Sequence, residues 1–169
     1  MTFRGLLSGD GHILLDGAMG SVLQQHGLKL GGLPEELNFT EPDLIRSIHR
    51  SYIEAGAQGI YANTFGANRL KYPEGGEFAL EEVVRSAVNI AKSAQKACGR
   101  EDSSWVALDI GPSGKLLKPL GDLDFEDAVS LFAEVVRYGA QAGADLVVIE
   151  TMGDSYELKA AVLALSLIH

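Results

Sequence analysis

The sequence predicts an α/β fold of the parallel (β/α)8 TIM-barrel type, of which its 169 residues encode about the first four βα units. Two observations carry this. First, four apolar runs rich in β-branched residues each end on an acid or amide and then break into a turn: His12-Ile-Leu-Leu-Asp16-Gly17, Gly59-Ile-Tyr-Ala-Asn63-Thr64, Trp105-Val-Ala-Leu-Asp109-Ile110-Gly111 and Asp145-Leu-Val-Val-Ile-Glu150-Thr151. Strands buried on both faces of a parallel sheet read as such near-continuous apolar runs. Second, the polar endings at 16, 63, 109 and 150 recur every 41–47 residues, and each interval holds a stretch of helical periodicity. A closed barrel needs eight units and typically about 250 residues. Residues 1–169 are therefore expected to be the N-terminal half of one barrel domain, with no second domain.

Each element has its own signal. The first run leads into Asp16-Gly17-Ala18-Met19-Gly20, and a short helix is predicted from about Ser21 to His26. Gly27 to Pro34 carries three glycines and a proline and reads as loop. Thr40 is the expected N-cap of the next helix, with Asp43 three residues on; Leu44, Ile45, Ile48 and Tyr52 share a face and Gly56 marks the stop. A long helix follows the second strand, with Leu80, Val83, Val84, Ala87, Val88 and Ala91 on its apolar side and an end near Gly99. After the third strand, Gly111 to Gly121 reads as loop, and Asp124 and Asp127 bracket a helix that buries Ala128, Leu131, Phe132, Val135 and Val136. Asp154 and Glu157 form a capping box for a last helix, Tyr156–Ile168.

Composition narrows the functional classes. A formal net charge of −9 argues against nucleic-acid and anionic-membrane partners, which call for clustered Lys and Arg. No apolar run approaches the roughly 18 residues of a membrane span, and Met1–Asp10 lacks the apolar core of a secretory signal. The single cysteine, Cys98, permits no intrachain disulfide and reads as a free structural thiol, so a reducing cytoplasm is expected. His12, His26, His49 and His169 have no metal-ligand spacing, and His49 reads as a packing or surface residue. Gly111-Pro112-Ser113-Gly114 lacks the Gly-x-Ser-x-Gly spacing of a nucleophile elbow.

Polar residues at the carboxyl ends of parallel strands are where a (β/α) barrel keeps its chemistry. Asp16 is either an Asx-turn or helix cap, or an acceptor for a substrate ammonium, with the amides of Gly17, Ala18, Met19 and Gly20 placed to hold a carboxylate. Glu150 closes an apolar run, so it must face a polar mouth or pair with a cation. Asn63 is a candidate substrate hydrogen-bonding group; Thr64 is a second candidate or a turn cap. Asp109 is a further candidate, or a partner for loop amides between Gly111 and Gly114.

Five motifs, in order along essentially the whole chain, resemble the homocysteine S-methyltransferase family: Leu15-Asp-Gly-Ala-Met-Gly20, Pro34-Glu-Glu-Leu-Asn38, Asn63-Thr-Phe-Gly-Ala-Asn68, Asp109-Ile-Gly-Pro-Ser-Gly114, and Glu150-Thr151 followed by Glu157-Leu-Lys-Ala-Ala161. Within it the chain is most similar to the N-terminal homocysteine-binding domains of cobalamin-dependent methionine synthases. The resemblance implies a (β/α)8 barrel holding zinc at the carboxyl ends of its strands. Zinc would bind the homocysteine sulfur and favour its thiolate. Methylcobalamin would supply the methyl group, giving methionine, and corrinoid and methyltetrahydrofolate modules would be partners. By matching positions, Asp16 and Glu150 resemble the acids that receive the homocysteine amino group, and Gly17 to Gly20 the turn that faces its carboxylate. The family's three zinc-ligating cysteines have no counterpart here, and Cys98 matches none of them. The resemblance thus implies the amino-acid half of a site, with no catalytic residue and no metal ligand in this chain, which alone is expected to be inactive. The alternative is a non-catalytic half-barrel that assembles with itself or complements another chain; a half-barrel leaves strand edges and an apolar inner face open, so a homo-oligomer is expected.

Overall fold

In a computed structural model of the chain, which describes Gly5, Ser8, residues 12–29 and residues 31–167, the sheet is parallel and ordered β1-β2-β3. β1 is Gly59–Tyr61, β2 Trp105–Ile110 and β3 Leu146–Ile149. Tyr61 lies in register with Ala107, and Asp109 with Val148. The helices are α1 Met19–Gln25, α2 Leu37–Thr40, α3 Pro42–Glu54, α4 Leu80–Ala97, α5 Phe125–Gln141 and α6 Ser155–Ser166, with a 3-10 turn at Pro34–Glu36. α4 connects β1 to β2 and α5 connects β2 to β3, the helical crossovers that parallel pairing requires. Among the described residues no helix is long and apolar enough to cross a membrane. Met1–Asp10 (all but Gly5 and Ser8), Ile168 and His169, for which the sequence sets expectations, lie outside the described residues.

The first of the four expected strands is reduced to one bridge, Leu15 with Gly59. Its ladder begins normally: Gly59 N donates to the Leu14 carbonyl at 3.1 Å and Asp16 N to the Gly59 carbonyl at 2.9 Å. The next bond of a parallel ladder would run from Tyr61 N to the Asp16 carbonyl, but the Asp16 carboxylate takes it, Tyr61 N to Oδ2 at 2.9 Å. At the other end Leu14 N reaches the Gln58 side chain instead of a main-chain carbonyl. Side chains cut the ladder short at both ends, a substitution that an apolar run does not reveal.

The core lies where the periodicity placed it. Leu80, Val83, Val84, Ala87, Val88, Ala91 and Ala94 of α4 and Ala128, Phe132 and Val135 of α5 are buried against Val106, Leu108 and Ile110 of β2. Burying one such Leu, Val or Phe side chain is worth about 1.5–3 kcal/mol. Close approach of α5 to β2 depends on Gly139, because a Cβ there would lie 2.5 Å from Leu108 Cδ2. A smaller cluster of Leu23, Ile45, Ile48 and Ile90 joins α1 and α3 to α4.

Three caps differ from expectation. Thr40 ends α2 rather than capping α3: Leu37–Thr40 is already a helical turn, Thr40 Oγ1 donates to the Glu36 carbonyl, and Glu41 is the N-cap. Pro42 then occupies the first helical turn, where a missing N–H costs nothing. Asp124 is the N-cap of α5, but its carboxylate bonds Lys118 Nζ at 2.8 Å instead of a backbone N–H. Asp154 does cap α6, accepting from Tyr156 N at 2.8 Å. Its expected partner Glu157 instead turns inward, buried, and accepts from Ser113 N at 2.8 Å, which pins the loop after β2 to α6.

His49 on α3 is fully buried, and neither ring nitrogen has a hydrogen-bond partner among the described residues. Burial lowers its pKa to about 4. The folded state thus binds fewer protons than the unfolded chain, so this contribution is complete above the unfolded pKa of about 6.5 and is lost as pH falls towards 4. Between pH 7 and pH 4.5 the loss of unfolding free energy should be about 2 kcal/mol smaller in His49→Leu than in the parent chain, by urea titration at both pH values. An equal loss in both would contradict this.

Candidate functional site

The four polar strand endings converge. Asp16, Asn63, Asp109 and Glu150 line one cleft of ≈ 620 Å³ together with Gly17, Ala18, Met19 and Gly20. The topology does this: Asp16 follows the bridge to β1, Asn63 follows β1, Asp109 sits on central β2, and Glu150 N donates to the Ile110 carbonyl at 3.0 Å.

Asp109 is the most confined of the acids. Only 8% of it is exposed, and its Oδ1 is buried without a hydrogen-bond partner among the described residues. Burial, and then the charges of Glu150, Asp16 and Glu35, push its pKa up to about 8. It does not bond the loop amides after it, because Gly111 N is taken by the Phe65 carbonyl and Ser113 N by Glu157. Asp16 is raised to about 7, chiefly by burial and further by Glu150, against the lowering effect of the Tyr61 N–H bond. Nor is Asp16 a helix cap: Ala18 is the N-cap of α1, and no side chain caps it. Among the described residues Glu150 is in no ion pair, so the structural pairing considered for it is not made.

Asn63 and Thr64 serve the walls. Asn63 Nδ2 donates to the Pro34 carbonyl at 2.8 Å and to Asn38 Oδ1 at 3.0 Å, and Asn38 Nδ2 returns a bond to the Asn63 carbonyl. Thr64 is buried; its hydroxyl donates to the Asp109 carbonyl at 2.8 Å and accepts from Asp109 N at 3.1 Å, so it fixes the backbone that carries the central acid. The turn after Asp16 needs glycine at position 17, because a Cβ there would lie 2.7–2.9 Å from the Tyr52 ring, whose hydroxyl holds the Ala18 carbonyl.

Four polar cleft residues, Tyr61, Glu35, Lys71 and Thr151, have no assignment from the sequence. Tyr61 lies two residues before Asn63, and period-two alternation along the strand puts them on one side. Glu35 is 1% exposed and accepts from Gly66 N and the Tyr72 hydroxyl; nothing local distinguishes it from Glu36. Lys71, in the loop after β1, is the one Lys or Arg among the described cleft-lining residues and had no signal. Thr151 at the rim has φ +58°, a conformation that costs a β-branched residue about 1–3 kcal/mol and that clusters at binding sites.

Four carboxyl groups and one lysine give the cleft an acidic lining, suited to a ligand that carries a cationic donor. The residues do not suit a metal ion. Among those described, no group of three or more His, Cys, Asp or Glu side chains could hold one; Cys98 is half-buried at the C-cap of α4, and no histidine lines the cleft.

Known proteins resemble this chain in sequence and in fold. The family model described as homocysteine S-methyltransferase matches residues 13–168. The chain is 35% identical to the methionine synthase of Mycobacterium tuberculosis, an alignment covering 88% of this chain and 13% of that one. The methionine synthase of Mycobacterium leprae is 34% identical over the same shares. The homocysteine methyltransferase MmuM of Escherichia coli is 26% identical, superposing with a TM-score of 0.83 in its oxidised form over 97% of this chain and 61% of its own. Its metallated form superposes with a TM-score of 0.82. The chain therefore spans about an eighth of the curated relatives and three-fifths of the solved one.

Proposed function

The chain belongs to the homocysteine S-methyltransferase family, and from that premise we propose that it forms the amino-acid-binding part of a domain that methylates homocysteine to methionine. The observation that carries this is the convergence of Asp16, Asp109 and Glu150 on one cleft beside the Gly17–Gly20 turn. The homocysteine ammonium lies among the three carboxylates, where each charge-assisted hydrogen bond contributes about 1.5–3 kcal/mol. Its carboxylate faces the turn amides, away from the acids, and Asn63 and Thr64 hold the wall rigid behind it. The sulfur points outward, towards the rest of the site.

The zinc that family membership implies has no ligand set among the described residues, so thiol activation belongs to residues beyond these, as does docking of the corrinoid and methyltetrahydrofolate modules. On this reading the chain is the first half of a (β/α)8 barrel from a cytoplasmic methionine-synthase-type enzyme, using methylcobalamin as donor and inactive by itself. Calorimetry of the chain against L-homocysteine, 4-mercaptobutanoate (no amino group) and 3-mercaptopropylamine (no carboxylate) tests it. L-homocysteine should bind at least tenfold more tightly than either analogue; equal binding of 4-mercaptobutanoate, or no binding of L-homocysteine, overturns it.

Assembly follows from the surface. Leu14 and Leu15, beside β1, are 57% and 48% exposed, and α6 presents Leu158, Val162 and Leu163 to solvent. All four residues of β3 are only half-buried. Such edges and faces favour self-association, so the isolated chain should sediment as a homo-oligomer at micromolar concentration. A stable 18.0 kDa monomer that binds no dye for apolar surface would contradict this.

A further inference from the structure

Within the cleft, one polar atom is buried and unbonded among the described residues. Asp109 Oδ1 is buried, has no hydrogen-bond partner among the described residues and belongs to a residue only 8% exposed on the central strand. A bare carboxylate oxygen in that setting is costly, and the group avoids the cost by holding a proton. The groups facing it are Asp16 from the segment beside β1, Tyr61 from β1, Glu150 after β3, Glu35 from the 3-10 turn, and Lys71 from the loop after β1. All but Lys71 are acids or a phenol, and Lys71 makes no ion pair within 4.0 Å of any of them. The Thr64 hydroxyl meets the Asp109 main chain and gives nothing to its carboxyl.

We propose that Asp109 carries a proton in the free chain and gives it up to solvent when an ammonium group enters the cleft, so that amino-acid binding is coupled to proton release. This deepens the proposed function and rests on it. The balance is simple: a neutral carboxylic acid and a bound ammonium become a carboxylate–ammonium pair, and one proton leaves to buffer. The raised titration of Asp109 and of Asp16 is in the direction this requires. The arrangement gives selectivity. A neutral thiol or a carboxylate without an amine cannot displace the proton and meets a wall of acids. A cationic amine replaces the proton's charge with its own, and the buried oxygen gains its missing partner.

Three consequences are measurable on the intact chain. Titration calorimetry of L-homocysteine at pH 7, in phosphate and in Tris, should give a buffer-dependent heat equal to roughly 0.5–1 proton released per ligand. The apparent affinity should rise between pH 6 and pH 8, by up to about tenfold per unit, while the ligand amine stays charged. In Asp109→Asn both the proton release and the pH slope should shrink to the smaller part that Asp16 contributes, although the variant keeps the shape of the site. Heat that does not depend on the buffer, or a proton release and slope undiminished in Asp109→Asn, overturns the coupling.

A ligand-free arm separates this from a failure of the amino-acid reading. Carbon-detected NMR titration of the side-chain carboxyls should find one that titrates near pH 8 and is absent from Asp109→Asn. If every carboxyl titrates below pH 5, the stored proton is refuted whether or not homocysteine binds. If L-homocysteine gives no heat at all, the binding reading and the coupling fall together, and the carboxyl titration still decides whether the proton is held.

Discussion

The unfolding free energy of the chain is expected to fall by about 3 kcal/mol between pH 6 and pH 9 through Asp109 alone, and Asp109→Asn is expected to remove that fall. The sign follows from the direction of the shift. The folded-state pKa of about 8 lies above the ordinary value of 3.8, so the folded chain binds more protons than the unfolded one across this range. Stability from that proton is complete below 3.8 and disappears as pH rises through 8. Asp16, raised to about 7, contributes a smaller loss of the same sign. An amide in place of the Asp109 carboxyl has nearly the same shape and never ionises, so Asp109→Asn should be the more stable chain at pH 9. Urea titrations of both proteins at pH 6 and pH 9 check this. Parallel losses in the two would show that Asp109 ionises freely in the folded chain.

The second large effect is on binding. Asp16→Asn and Glu150→Gln should each weaken L-homocysteine binding by about 1.5–3 kcal/mol, roughly ten- to hundredfold, because each removes a charge-assisted bond to the ammonium. Neither should destabilise the fold at pH 7 or above, since Asp16 is pushed up by burial and Glu150 makes no ion pair among the described residues. A residue whose loss weakens binding while sparing stability is one kept for its ligand. Calorimetry of both variants alongside thermal melts reads the two quantities together. Unchanged affinity in both would assign these acids to the local backbone, Asp16 to the Tyr61 N–H above all.

The fold was legible wherever burial dictates the sequence. α4 and α5 follow the spacing of their apolar residues to within a residue or two, because a helix face packed on a sheet admits only apolar side chains. β2 was legible for the same reason, and β3, though only half-buried, from its apolar, β-branched run. Elements set by single polar bonds were not. The strand before Asp16 stops where a carboxylate replaces a carbonyl, and Thr40, Asp124 and Glu157 each gave up a cap for another partner. Nothing in a local window tells a carboxylate which of two N–H groups it will meet.

The site shows the same division. Asp16, Asn63, Asp109 and Glu150 were found because strand ends in a parallel sheet share a rim. Their separate parts were not, since Asn63 ties down the Pro34–Asn38 segment and Thr64 the backbone of Asp109, contacts between residues 25–45 positions apart. Glu35 and Lys71 reach the cleft from turns whose course depends on the whole fold.

Whether this cleft receives the amino-acid end of homocysteine is read by mapping amide chemical shifts of the isotope-labelled chain during titration with L-homocysteine. The shifts should concentrate at Gly17, Ala18, Met19, Gly20, Tyr61, Asp109 and Glu150, and should shrink sharply when 4-mercaptobutanoate replaces the amino acid. Shifts confined to other surfaces, or none at millimolar ligand, would contradict the account.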